Sequence, residues 1–81
     1  MTNEEMKVVE QARAMERLLA NEDFMQVIMG AYIHDGISMN VLYGGVKNEG
    51  VQDELLSRQN LHSFIFDTIS QGEILLEQNR E

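Results

Sequence analysis

The sequence predicts an all-α chain of three helices. Apolar residues recur at three- and four-residue spacing, no stretch alternates at period two, and helix-start residues stand at the head of each periodic run. The absence of proline from all 81 residues removes the commonest helix breaker. The helices read as about 3–20, 22–43 with a kink near 34–36, and 51–78. They form a hairpin or bundle, a single domain over 1–81, that self-associates or packs on a partner.

The first helix begins with Thr2 and Glu5 at capping-box spacing, Asn3 being the alternative cap. Val8, Ala12, Met15 and Leu19 follow at spacings of four, three and four, and Val9 and Leu18 widen the stripe. Lys7, Glu10, Arg13, Glu16 and Arg17 fall mainly outside it and make a solvated face of mixed charge. Favourable pairs there contribute only tenths of a kcal/mol. Ala20 and Asn21 form the junction. So short a connection either folds the second helix back antiparallel or lets the first run almost continuously into it with a bend at Asn21.

Asn21 caps the second helix, and Glu22 and Asp23 place negative charge at the positive end of its dipole. Phe24, Val27, Ile28 and Ala31 share a face at α-helical spacing. Ile33, Ile37, Val41 and Met39 or Leu42 make a second stripe beyond Asp35-Gly36. Gly30 and Gly36 weaken the interior by roughly 1 kcal/mol each relative to Ala, which is why the irregularity is expected near His34 to Gly36. Gly44-Gly45 ends the helix. Residues 44–50, GGVKNEG, are a flexible connector; they lack the GxGxxG and GxxxxGK[ST] patterns of a phosphate cradle.

In the third helix Leu55, Leu61, Ile65, Ile69 and Leu76 form an apolar spine, flanked by Phe64 and Phe66. A helix covered on one face needs fewer large side chains than this, so an aromatic is expected to meet a further helix, a second subunit or another protein. Gly72 sits on the spine, where a missing side chain admits either the first helix or a subunit at close range. Residues 79–81 should fray.

Composition narrows the function. With 43 % hydrophobic residues the chain has enough apolar surface to fold, although 81 residues support only a small core. Without cysteine there is neither a disulfide framework nor thiolate chemistry. A net charge of −8, with Lys7, Arg13, Arg17, Lys47, Arg58 and Arg80 scattered, opposes direct nucleic-acid binding and adsorption to an anionic membrane. No apolar run approaches the roughly 20 residues that span a bilayer, and MTNEEMKVVEQ is not a signal peptide, so an intracellular protein is expected.

Chemistry-bearing residues form no constellation. His34 and His62, with Asp35 or Asp67, have no spacing that holds two metal ligands on one helix face. The pairs Glu4-Glu5, Glu22-Asp23 and Asp53-Glu54 stand near helix starts, where the dipole accounts for them. Ser38, Ser57, Ser63 and Ser70 lack a nucleophile context. No catalytic, cofactor-binding or metal-binding residue is predicted, and no cofactor. The candidates are protein-binding: Met25, Met29 and Tyr32 as an adaptable apolar patch, and Phe64, Phe66 and Gly72 on the last helix.

Leu18-Leu19, Asn21, Asp23-Phe24, Val27-Ile28 and Tyr32, followed by Gln52-Asp53, Leu61, Phe64, Ile69 and Gln71-Gly72-Glu73, resemble a group of small acidic helical proteins encoded by tailed bacteriophages near head and DNA-packaging genes. The resemblance covers most of the chain; Ala31 before Tyr32 and the GGVKNEG linker depart from it. It implies a noncatalytic virion or assembly protein, located in the virion or host cytoplasm and contacting itself or a larger virion protein. The alternative expectation is a phage-encoded inhibitor of a host or defence protein with a basic surface, acting as an acidic nucleic-acid mimic.

Overall fold

A computed structural model describes residues 1–44 and 49–80. It shows three helices and, among the described residues, no strand. Helix α1 is Asn3–Leu19. Helix α2 spans 22–44 and changes pitch along its length: an α turn over Glu22–Phe24, π-helix over Met25–Asp35, α again over Gly36–Met39, and π over Asn40–Gly44. Helix α3 is Glu49–Gln78, so its C-terminal end falls where the periodicity puts it and its start two residues earlier. The core of the expected connector, 45–48, and the last tail residue, 81, lie outside the described residues.

Both expected N-terminal caps form. Thr2 Oγ1 accepts from the Glu5 amide at 3.1 Å while Glu5 Oε1 accepts from the Thr2 amide at 3.0 Å, a reciprocal capping box. Asn21 Oδ1 accepts from the Phe24 amide at 2.9 Å. Asn21 itself is extended, with φ −82° and ψ 123°, yet its amide donates to Leu18 O and its carbonyl accepts from Met25. One non-helical residue therefore joins α1 to α2, and the near-continuous reading of the junction is the correct one.

The result is a two-layer hairpin. Helix α3 forms one layer along its whole length, and α1 and α2 lie end to end on it, α1 over its C-terminal half and α2 over its N-terminal half. Helices α1 and α2 meet mainly at their junction. The molecule measures 51 × 27 × 18 Å, and its radius of gyration of 16.0 Å exceeds the roughly 12 Å of a compact domain of this length.

Two layers of single helices enclose little. Among the described residues the apolar core is Val9, Ala12, Ile33 and Ile65, and only Ile65, 1 % exposed, has a fully buried large side chain. Val9 and Ala12 come from the predicted stripe of α1, whereas Leu18 lies outside it and is exposed. The α2 face predicted from Phe24, Val27, Ile28 and Ala31 is corrected. Val27 and Ala31 point to solvent, and the buried positions are Ile33, Gly36 and Asn40. The cause is the π pitch: bonding from i to i+5 widens the turn, so Phe24, Ile28 and Ile33 align at spacings of four and five instead of three and four. The irregularity expected near 34–36 is present as the π-to-α change between Asp35 and Gly36, both of which keep helical backbone angles.

Candidate functional site

The two ends of the hairpin are held by different physics. At the α1 end, Gly72 is buried, and a Cβ added there would collide with the Ala12 side chain and stand 3.7 Å from Val8 O and Val9 Cα. Glycine is what lets α1 approach α3 this closely. Of the two uses open to Gly72 in the sequence, contact with the first helix is the one realised.

At the α2 end the contact is polar and centres on Arg58. Its Nε donates to the Tyr32 carbonyl at 2.8 Å, and its Nη1 donates to Asn40 Oδ1 at 3.1 Å. Its guanidinium carbon stands 4.8 Å from the Tyr32 ring centroid, close enough for a cation–π contact. The Tyr32 carbonyl needs this partner. In an α-helix the Gly36 amide would donate to it, but here that amide reaches Ala31 and Ile33 instead. Asn40, buried in the interface, donates from Nδ2 to Glu54 Oε2 at 3.1 Å, and Glu54 Oε2 lies 3.7 Å from Arg58 Nη1 one turn on. Glu54 is largely exposed, so its ion pair is weak; the hydrogen bonds to the buried amide and carbonyl fix the register. Gly36 makes room for all of it, since a Cβ there would collide with Arg58 Nε and lie 2.8 Å from its Cδ.

Beside this clamp, α2 and α3 leave an open groove of about 740 Å³. Met29, Ile33, Ile37 and Leu56 form its apolar walls. His34, Ser38, Gln59, Asn60, His62 and Ser63 complete the lining. The Ser38 hydroxyl is already engaged, donating to the His34 carbonyl at 3.0 Å. His34 Nδ1 stands 3.2 Å from Asp35 Oδ1 at the exposed edge. Both histidines line this groove, but among the described residues no three metal-ligating side chains come together. The lining contains no carboxylate, lysine or arginine, in a chain of which 25 % is charged.

The predicted protein-binding residues do not form one patch. Met29 lines the groove. Phe66 stacks on His62, ring centroids 4.9 Å apart and tilted by 49°, and so borders it. Tyr32 is exposed beneath Arg58, Met25 is exposed one π turn from Met29, and Phe64, 60 % exposed, points away from the Ile65 core on the flank opposite Phe66. Gly72 serves the intramolecular contact at the far end. Leu56, Ile33 and Ile37 were not singled out for binding. The signal for them was the absence of charge: 24–34 contains no Asp, Glu, Lys or Arg, and 55–66 contains only Arg58.

The one displaced titration is remote from the groove. The Thr2 amide, then the Thr2 hydroxyl, hydrogen-bond the Glu5 carboxylate and hold its pKa below the ordinary glutamate value. Among the described residues no helix is long and apolar enough to cross a membrane. No family model, curated protein or solved structure matches the chain.

Proposed function

We propose that this chain is a noncatalytic structural or assembly protein that works by protein–protein contact through the apolar surface of α2 and α3. The observation that carries this reading is the imbalance between core and surface. Four apolar residues are buried among the described residues, while Leu42, Val41, Phe64, Val27, Met39 and Leu56 are each more than half exposed. Solvated apolar surface of this extent is retained where a partner covers it. The resemblance of residues 18–32 and 52–73 to small acidic proteins of tailed bacteriophages supports a place in a virion or in its assembly, with a larger virion protein as a further partner.

The inhibitor reading requires carboxylates gathered on one face. On α3, Asp53, Glu54, Asp67, Glu73 and Glu77 point in at least three directions at 3.6 residues per turn, a distribution that suits solubility better than mimicry. Mass spectrometry of purified particles and of crosslinked infected cells tests the proposal. The chain should be recovered in particles or crosslinked to a virion protein. Recovery only with a host protein, in a complex that added salt disperses, would contradict it.

A further inference from the structure

The groove between α2 and α3 has a shape, a chemistry and an area from which an occupant can be argued. The chain exposes 6261 Å². A compact monomer of 9.3 kDa exposes about 5,000 Å². The surplus, about 1,300 Å² per chain, is larger than the roughly 800 Å² that each partner contributes to a stable interface of ordinary size.

Its chemistry matches that use. Interface centres are depleted of charge, and this groove lacks Asp, Glu, Lys and Arg altogether. A basic partner would meet no carboxylate in it. A second copy would meet the same uncharged surface, with methionine and branched aliphatic side chains opposed to their own kind and the carboxylates left in water at the rim. The fold adds a reason of its own: a two-layer hairpin of single helices cannot cover both of its broad faces, and stacking two hairpins gives α2 and α3 a third and fourth neighbour.

We infer that two copies of this chain pair through the Met29–Ile37 and Leu56–Ser63 walls of the groove about a two-fold axis, making a four-helix core of two α2 helices and two α3 halves. An interface of this kind is isologous, each groove serving as the partner of the other. The inference rests on the reading that the chain acts by protein–protein contact, and it names the first partner as the chain itself. With a charge of −8 on each copy, mutual repulsion opposes pairing and salt relieves it, so added salt strengthens the dimer.

Sedimentation equilibrium of the purified chain should return twice 9.3 kDa. Leu56→Glu should return the single-chain mass with unchanged helicity, because Leu56 is 55 % exposed in the single chain and its replacement disturbs no core. Ile74→Glu, at an equally exposed position away from the groove, should leave the dimer intact. The cysteine-free sequence permits a positional check: a nitroxide on Ser63→Cys, in the groove, should show dipolar broadening between copies, and one on Ser57→Cys, outside it, should not. A single-chain mass for the unmodified protein overturns the inference, as does a dimer that survives Leu56→Glu or broadens only at Ser57→Cys. A single chain that binds an apolar dye would end the pairing and leave the protein-contact reading standing. A single chain that binds none would end both.

Discussion

The two halves of the hairpin use one long helix in opposite ways. Over the C-terminal half of α3, α1 closes down by removing side chains: Gly72 against Ala12 draws the backbones together, and Ile65 and Val9 fill what remains. Over the N-terminal half, α2 is held off by a large polar side chain, Arg58, lodged over Gly36 and bonded to a displaced carbonyl and a buried amide. Close apolar packing leaves nothing over for a partner. A polar spacer fixes the register but leaves the flanking Met29, Ile33, Ile37 and Leu56 around an open groove. Stability and interaction are thus assigned to different ends of the same helix.

The largest expected effect breaks the packed half. Ile65→Ala should cost about 3 kcal/mol, the usual range for truncating a buried isoleucine. That is a large share of what a domain of this size possesses, and a denaturant titration by circular dichroism should show a greatly lowered midpoint. Next, Gly72→Val should cost about 2 kcal/mol by pushing α1 off α3, with amide protection lost over 8–15 and kept over 32–40. Arg58→Met should reverse that pattern. It strands the Tyr32 carbonyl and the Asn40 amide, costs about 2 kcal/mol, and opens 32–40 to exchange while 8–15 stays protected. If both variants unprotected the two halves equally, the division of labour between them would be wrong.

The smallest effect is at the end of α1. Thr2→Ala should cost about 1 kcal/mol through the lost cap. The same cap gives a pH signature. The folded-state pKa of Glu5 is depressed, so its contribution is present above the unfolded carboxyl value and is lost as pH falls through the lowered folded value. Thr2→Ala should flatten that part of the acid titration of helicity, whereas Arg58→Met should leave it unchanged.

Much of this was legible in the sequence and some was not, for reasons that trace to particular residues. The caps at Thr2 and Asn21, the Val9–Ala12 stripe and the α3 spine through Ile65 all follow local rules that a neighbour seldom overrides. The burial pattern of α2 was misread because helical spacing was taken as α throughout, and the π turns move the buried positions from Val27 and Ala31 to Ile33 and Gly36. The Arg58 clamp was illegible, since joining Tyr32, Asn40 and Arg58 depends on the register between two helices, which no local pattern states. Of the candidate residues, Met29 and Phe66 fall at the groove and Gly72 at the packed end. Leu56 was passed over because it lies off the spine, on the face of α3 that the single chain leaves uncovered.

Hydrogen exchange followed as a function of protein concentration puts the division between the two ends to the most direct test. Amides of α2 and of the N-terminal half of α3 should slow markedly as concentration rises, while those of α1 and the Gly72 region keep the same rates. Rates independent of concentration along the whole chain, or slowing confined to the α1 end, would contradict it.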